Sequence, residues 1–360
     1  AVAIAIALRR AVEAQGETAA LVTSDRNLAR RVSTELLRFG IQADDSGGTP
    51  LANTPPGALL RLLLQALFRP GDPVAIMALL KHPLLMLGLD RTVTRRAVEA
   101  IELVALRGGT GRPDLADMAA LFDARLEALA GDRPPFWLAR MSALRLEEAR
   151  TVLARLRDAL APLAAFRGRD SVGLAEILRA TVMALEALGR GEDGGLEELY
   201  AADAGDKLAE FLRGLVASTA AFVFDAAEWP DVMEALIAPE TVKPSHAGDS
   251  RVAIWGALEA RLMNVGTIVI GGLNEGTWPR KAEADRFMSR VMKTGLELEP
   301  PERRIGQSAH DFQMALGMGR VVLARAARAG DAPAVPSRWL QRILTFVGTE
   351  QAGAMRRRGD

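Results

Sequence analysis

The last third of the chain contains two short runs of consecutive apolar residues, at positions 252–255 and 267–270. Strands that helices cover on both faces have such continuous runs, whereas half-exposed strands alternate. The second run ends abruptly in Gly-Gly-Leu-Asn-Glu-Gly-Thr-Trp-Pro at 271–279, a loop of small, polar and aromatic residues. Open α/β sheets bind ligands outside the carboxyl ends of their strands. The pattern therefore predicts two buried parallel strands and a functional loop at 274–279.

Strand patterns also occur near both ends of the chain. An apolar run at 18–23 precedes a polar turn and then a helical pattern at 28–39, which together predict a βα unit. Another run at 321–324 lies between helical patterns near 304–318 and 337–347. Because strands that alternate with helices form parallel sheets, we predict that all these strands share one parallel sheet.

The middle of the chain has a different pattern. Turn-forming residues at 44–50 mark a boundary, and from about 58 to 242 Leu and Ala recur at helical spacing between Pro and Gly breakers. No repeat of fixed period is present, which disfavours a regular solenoid. We therefore predict a discontinuous α/β domain interrupted by a large all-helical insertion. The predicted parts are 1–52 and 249–347 for the α/β domain, 53–248 for the insertion, and 348–360 for a linker or chain end.

Composition excludes several classes of protein. The 360 residues include no Cys, which excludes thiolate zinc and iron–sulfur sites. The 45 basic and 45 acidic residues cancel, which excludes a uniformly basic surface for nucleic acid, although 301–345 holds seven Arg against three acidic residues. No apolar run approaches the roughly 18 residues that span a bilayer. We expect a cytoplasmic protein without a membrane partner, and the absence of an initial Met suggests a piece of a longer chain.

The common catalytic motifs are absent from the sequence. There is no G-x-x-x-x-G-K-[ST] string and no G-x-G-x-x-G after a strand, so this chain alone cannot form a complete nucleotide site. There is also no G-x-S-x-G or H-E-x-x-H string. His82, His246 and His310 are scattered, and a lone His is more often structural or solvated than a metal ligand. We predict no metal site and no cofactor held by this chain.

Five strings of residues resemble one protein family. They are Leu-Glu-Ala-Arg at 258–261, the loop string at 271–279, Glu-Arg-Arg-Ile-Gly at 302–306, Ala-His-Asp-Phe at 309–312, and Pro-Ser-Arg-Trp-Leu at 336–340. These strings resemble the AddB subunits of AddAB-type helicase–nucleases, which act in bacterial double-strand break repair, in their alphaproteobacterial form. The loop string is fairly specific, and the resemblance covers most of the chain.

The resemblance implies a fold and a set of partners. Superfamily 1 helicases have a second RecA-like motor domain interrupted by a helical insertion, which is similar to the architecture predicted above. The implied partners are DNA, as a duplex end or a single strand, and an AddA-like helicase–nuclease subunit. The first RecA-like domain would precede residue 1 and a nuclease would follow residue 360. ATP and Mg²⁺ would then belong to the full-length protein, and the isolated chain is expected to be inactive.

The resemblance also implies three residues close to a nucleotide. They are Arg30 after the strand that resembles motif IV, Glu259 in the stretch that resembles motif V, and Arg325 in the stretch that resembles motif VI. A guanidinium suits a phosphate because it donates two parallel hydrogen bonds. However, Ala324 stands where motif VI usually has Thr, and 254–261 lacks the His and Lys usual in motif V. These departures predict a degenerate ATP site.

The loop string supplies the DNA-binding candidates Asn274, Thr277 and Trp278. Trp255 lies within an apolar run and is predicted to belong to the core. Trp278 lies in a polar loop before Pro279, which makes it the better candidate for stacking on a base.

Arg303 and Arg304 are further DNA-binding candidates. They open a predicted helix, where the helix dipole disfavours cations, and a phosphate partner would offset that cost. A solvated helix face is the structural alternative for both arginines. For Glu259 the structural alternative is an ion pair with Arg261 on a helix surface.

Two other functions remain open from the sequence. An active half of an ATP-dependent helicase motor would need Arg325 for ATP turnover. A small-molecule α/β enzyme with a helical lid would need an acid or base in a closed pocket, such as Glu275 and Asp311 converging at the carboxyl edge of the sheet.

Overall fold

The computed structural model describes residues 1–108, 111–131, 134–218, 222–243, 248–280, 287–299 and 301–359. The strands, in chain order, are β1 (Ala19–Val22), β2 (Ala43–Asp45), β3 (Thr49–Pro50), β4 (Val172–Gly173), β5 (Val223–Phe224), β6 (Thr241–Val242), β7 (Asp249–Trp255), β8 (Thr267–Ile270), β9 (Arg320–Leu323), β10 (Arg328–Ala329) and β11 (Ala332–Pro333). The helices are α1 (Val2–Ala11), α2 (Arg26–Leu37), α3 (Pro55–Phe68), α4 (Pro73–Leu80), α5 (Arg91–Ile101), α6 (Met118–Leu129), α7 (Phe136–Ala139), α8 (Ala143–Ala164), α9 (Leu174–Gly189), α10 (Ala202–Ala217), α11 (Trp229–Ile237), α12 (Arg290–Gly295), α13 (Pro301–Leu316) and α14 (Arg338–Gly359). A 3₁₀ turn at Glu259–Leu262 lies between β7 and β8.

The chain forms two compact units. The α/β unit combines Ala1–Gly48 with Lys243–Asp360, and the helical unit is Thr49–Val242. The buried cores respect this division, because each core cluster draws only on residues of its own unit.

A five-stranded sheet in the order β2-β7-β1-β8-β9 forms the centre of the α/β unit, and every neighbouring pair is parallel. In its register Ala19 lies opposite Val252 on one side and Thr267 on the other. The strands predicted from the apolar runs thus share one parallel sheet, and the mixed α/β class is confirmed. The remaining strand, β2, falls partly within 44–50, where a loop was predicted. A loop was predicted there because Asp has a low strand propensity. The prediction was wrong for Asp44 and Asp45, because they pair with β7 at the edge of the sheet.

The sheet is covered on both faces. Successive side chains of a strand point to opposite faces. Leu21 and Ile254 accordingly pack with α1 and α2, whereas Val22 and Trp255 pack with α13 and α14. Trp255 is 7% exposed, so its predicted place in the core is confirmed. Because these strands are buried on both faces, their sequences are continuous apolar runs.

The helical unit has a large core of its own, built from Leu, Ala and Val of α3 to α11. Trp229 is fully buried there, and its indole N–H donates to Thr181 Oγ1 at 2.9 Å. The Thr181 hydroxyl in turn donates to the Ile177 carbonyl at 2.7 Å. The two ends of the unit pair as the antiparallel strands β3 and β6, with Thr49 opposite Val242.

Helix α14 extends beyond the predicted helix at 337–347. It turns at Gly348, which has a left-handed φ of 82°, and continues to Gly359 with Ala352 buried. The linker expected at 348–360 is therefore helical over its described residues. Ala, Gln, Met and Arg in this segment favour a helix, and only glycine adopts the left-handed turn at low cost.

Candidate functional site

The carboxyl edge of the sheet contains a topological switch point between the neighbouring strands β1 and β8. The chain leaves β1 toward α2 on one face of the sheet and leaves β8 toward α13 on the other. Ligands of open α/β sheets bind in the crevice that such diverging connections create. The loops after β1, β8 and β9 therefore form the candidate site, which we call the carboxyl-edge loops.

The loop after β1 is short and is held by several internal hydrogen bonds. Thr23 is buried, and its hydroxyl oxygen accepts from the Asp25 N–H at 3.1 Å. The Asp25 carboxylate caps α2 by accepting from the N–H groups of Asn27 and Leu28 at 2.9 and 3.1 Å. A capping carboxylate occupies the positive end of a helix dipole, so this helix start is already neutralised from within the chain.

The loop after β8 folds back over β1 instead of extending into solvent. A Cβ atom at Gly271 would lie 2.7 Å from Leu21 Cδ1, so a larger residue there would displace the buried Leu21 side chain. The next residue, Gly272, has a left-handed φ of 76°. Ser24 then fastens the returning loop, because its hydroxyl donates to the Thr277 carbonyl at 3.0 Å. Thr277, a DNA-binding candidate, thus lies beside the loop that follows β1.

Asn274 links the loops after β8 and β9. Its Nδ2 group donates to the Ala326 carbonyl at 2.8 Å and to the Val335 carbonyl at 3.3 Å. Its Oδ1 atom accepts from the Ala326 N–H at 2.9 Å. The side chain predicted to contact DNA is therefore engaged inside the protein.

Trp278 is buried, with 1% of its surface exposed. Its indole N–H donates to the Gly271 carbonyl at 3.1 Å, and its rings pack against Phe312 and Trp339 at centroid distances of 5.9 and 6.2 Å. The prediction that Trp278 offers a face to a base is wrong, because the returning loop inserts the indole between the sheet and α13. The aromatic residue belongs to the core despite its polar sequence neighbours.

The start of α14 is tied to the same loop. The Glu275 carboxylate accepts from Arg338 Nε at 3.0 Å and from the Arg338 backbone N–H at 3.2 Å. Ser337 is fully buried, its N–H donates to the Leu273 carbonyl at 2.9 Å, and its hydroxyl donates to the Trp278 carbonyl. These contacts fix residues 273–278 of this loop to the start of α14. Sequence reasoning placed Ser337 in a family string without assigning it a role.

Three exposed arginines lie at the same edge of the sheet. Arg30 lies one turn into α2, and Arg325 lies two residues beyond the end of β9. Helix α13 leads into the parallel strand β9, so it runs against the strands and its first turn, with Arg304, lies on the carboxyl side. Arg30, Arg304 and Arg325 are all exposed, and no ion pair joins any of them to a carboxylate within the described part of the chain. Arg303 differs, because it pairs with Glu299 at 3.0 Å.

Glu259 is exposed on the 3₁₀ turn after β7. The expected pairing of Glu259 with Arg261 is replaced by another contact. Arg261 Nε and Nη2 donate to the two oxygens of Asp311 at 2.6 and 3.1 Å, and the Asp311 side chain is nearly buried. Two carboxylates of the small-molecule enzyme alternative, Glu275 and Asp311, are thus each held by an arginine of their own.

The two described histidines, His82 and His310, each lie close to a polar group of the protein. His82 is half-buried, its Nδ1 atom accepts from the Leu84 N–H at 3.2 Å, and burial lowers the pKa of its imidazole. His310 is exposed, with its Nδ1 atom 3.6 Å from Asp311 Oδ1. His246 lies outside the described residues. Over the residues that the structure describes, no three His, Asp or Glu side chains are arranged to hold a metal ion.

No helix in the described part of the chain is both long enough and apolar enough to cross a bilayer. A scan against protein-family models and a search of curated proteins found no match to this chain.

Proposed function

We propose that this chain is the second RecA-like part of an AddB-like subunit, and that it grips DNA during double-strand break processing for recombination. The observation that carries the proposal is the set of exposed arginines at the carboxyl edge of the sheet. A parallel sheet interrupted by a helical unit and the five family strings agree with it.

The spacing of the arginines suits a polyanion. Strands β1 and β9 flank β8, so their carboxyl ends lie about 10 Å apart, or two strand spacings. Arg30 and Arg325 follow these two strands, and Arg304 adds a third guanidinium at the same carboxyl edge, on the face of the sheet opposite to α2. Guanidinium groups form short, paired hydrogen bonds to phosphate oxygens and keep their charge at any physiological pH. A surface with several of them on one side can follow the backbone of a nucleic acid.

The proposed role is a grip and not a motor. Ala324 replaces the usual Thr before Arg325, and 254–261 lacks the His and Lys usual in motif V. A nucleotide site that has lost such groups retains its arginines but not the groups that orient ATP for hydrolysis. In the assembled complex, we expect Arg325→Ala to leave ATP turnover unchanged, whereas an active motor half would lose the turnover that this subunit supplies.

The test is a titration of fluorescent duplex and single-stranded oligonucleotides at several salt concentrations. Each phosphate contact that is lost reduces the slope of log K against log salt by about 0.9 for duplex DNA and about 0.7 for a single strand. We expect that reduction for Arg325→Ala. The double variant Arg303→Ala/Arg304→Ala is expected to show at least one lost contact, since Arg304 has no carboxylate partner among the described side chains.

Arg320 supplies the matched control. It is exposed at the first position of β9, so it lies at the opposite edge of the sheet on the same strand. Arg320→Ala removes the same charge and is expected to keep the wild-type slope. Equal slopes for Arg320→Ala and Arg325→Ala would contradict a phosphate contact at Arg325. If the wild-type chain showed no salt-dependent binding of DNA, the proposed role in gripping DNA would be contradicted.

A further inference from the structure

The pairing of β8 with β9 continues past the ends of both strands. The Ala324 N–H donates to the Ile270 carbonyl at 2.9 Å, and the Leu273 N–H donates to the Ala324 carbonyl at 2.9 Å. The next contact is made by a side chain. Asn274 both donates to the Ala326 carbonyl and accepts from the Ala326 N–H, at 2.8 and 2.9 Å. A carboxamide has the same donor and acceptor as a peptide group, so it replaces one peptide of the ladder.

We propose that Asn274 is a positioning residue for Arg325, and that it acts on DNA only through that arginine. This inference rests on the proposed function, in which Arg325 meets a phosphate. It assigns to Asn274 a role different from the direct DNA contact that the sequence suggested.

The backbone on both sides of Arg325 is held by these bonds. Ala324 is fixed by the ladder and Ala326 by the Asn274 amide, whereas the Arg325 side chain is exposed. The Arg325 Nη1 group donates to the Ala326 carbonyl at 3.2 Å, the same oxygen that Asn274 orients. A peptide oxygen can accept two hydrogen bonds. Asn274 therefore sets the direction of the Ala326 carbonyl, to which the Arg325 guanidinium is hydrogen-bonded. A phosphate would compete with this carbonyl for the guanidinium.

The side chain of Asn274 has little capacity left for a ligand. Both hydrogens of its Nδ2 group are directed to carbonyls, at Ala326 and Val335, and its Oδ1 atom accepts from a backbone N–H. Donating to a phosphate or to a base acceptor would require breaking at least one of the two Nδ2 bonds, which leaves only the second lone pair of Oδ1 for a ligand. An arginine whose backbone is held in advance loses less conformational freedom on binding, which is the physical benefit of such positioning.

The proposal is tested by a double-mutant cycle on DNA binding. Asn274→Leu keeps the approximate size and the neutrality of the side chain but loses all three bonds; Asn274→Ala loses them together with the side-chain volume. We expect both variants to lower the salt slope by the same amount as Arg325→Ala. In the Arg325→Ala background, neither change at position 274 should lower the slope or the affinity further, because residues that act as one unit are not additive.

Controls separate positioning from general loosening of the fold. Val32→Ala opens a cavity in the core of the α/β unit, on the face of α1 and α2, and is expected to lower stability while keeping the wild-type slope. A slope of Asn274→Leu equal to that of the wild type, or a loss that adds fully to that of Arg325→Ala, would overturn the role of Asn274. A wild-type slope for Arg325→Ala alone would instead overturn the proposed function.

A measurement without DNA tests the same inference in the unmodified chain. The Ala326 N–H should exchange with solvent at least tenfold more slowly than that of Arg325 in amide-resolved NMR, since its acceptor is the Asn274 side chain. Exchange of Ala326 as fast as that of Arg325 would overturn the proposal even if the variants failed to fold.

Discussion

The polar side chains of the carboxyl-edge loops form hydrogen bonds within the protein. Asn274 and Ser337 form hydrogen bonds to backbone groups of neighbouring loops, and Trp278 forms one to the Gly271 carbonyl of its own loop. Backbone groups that lie beyond the strand ends would otherwise lack partners, and a buried unpaired group costs about 1–3 kcal/mol. The described part of the site therefore combines polar groups that are bonded within the protein with exposed arginines that have no carboxylate partner there.

Substitution of Trp278 tests its role in the core. Trp278→Ala should lower the free energy of unfolding of the α/β unit by about 3–5 kcal/mol, because it removes a fully buried ring system. Trp278→Phe keeps much of the ring contact but leaves the Gly271 carbonyl without its indole donor, which should cost about 1–3 kcal/mol. Urea denaturation followed by near-ultraviolet circular dichroism measures both changes.

Phe346 provides the comparison, since its side chain is 91% exposed. Phe346→Ala should change the free energy of unfolding by at most about 0.5 kcal/mol. If Trp278→Ala were as harmless as Phe346→Ala and instead weakened DNA binding, the stacking role that the sequence suggested would be restored.

The roles of these residues could be predicted only in part. Trp255 was recognisable as core because its neighbours in sequence are also apolar. Asn274 and Trp278 were not, because their partners are distant in sequence: Ala326 lies 52 residues and Val335 61 residues from Asn274. A polar loop that folds back into the protein has the same local composition as one that faces solvent.

At the scale of elements, local signals defined the strands better than the ends of helices. The apolar runs predicted β1, β7, β8 and β9 because burial on both faces leaves no room for polar side chains. The edge strand β2 has no such requirement, and its Ala-Asp-Asp sequence gave no strand signal. Within the region predicted to be helical, α5 ends its regular α-helical part at Ile101 and the chain continues as a wider π-helical turn, Glu102–Leu106. Periodicity of apolar residues does not distinguish these two windings.

Two glycines of α10 allow a matched test of helix packing. A Cβ at Gly205 would lie 2.0 Å from the Tyr200 backbone carbon, whereas a Cβ at Gly214 would meet no atom within 4 Å. Gly205→Ala should therefore destabilise the helical unit by about 1–3 kcal/mol, the usual cost of overpacking. Gly214→Ala should stabilise it by about 0.5–1 kcal/mol, because Ala restricts the unfolded chain and favours the helix.

The two substitutions add the same methyl group to the same helix, so helix propensity cannot explain opposite signs. Thermal unfolding followed at 222 nm gives the signs directly. Two stabilising changes would mean that the N-terminal turn of α10 does not approach Tyr200 as closely as the structure has it.

At the scale of the whole molecule, the chain completes one sheet from two distant segments. Strands β1 and β2 come before the helical unit and β7 to β9 come after it. The order of the sheet places β7 between β2 and β1, so neither segment can form the sheet alone. Such long-range pairing is slow to form. The two ends of the insertion lie close together, which reduces the entropy lost when the two segments meet.

This arrangement predicts that the helical unit can be removed without unfolding the sheet. Because Thr49 pairs with Val242, the Cα atoms at the two ends of the unit lie about 5 Å apart. A linker of a few Gly and Ser residues can therefore replace Thr49–Val242 in the α/β unit.

The separate cores predict that the shortened chain and the isolated helical unit each unfold in one cooperative transition, measured by circular dichroism and calorimetry. The shortened chain should retain the salt-dependent DNA binding that Arg325 supports, because that residue and its ladder lie wholly in the α/β unit. Loss of cooperative unfolding in either piece would show that the cores depend on each other, whereas a folded shortened chain without binding would move the DNA-gripping surface to the helical unit.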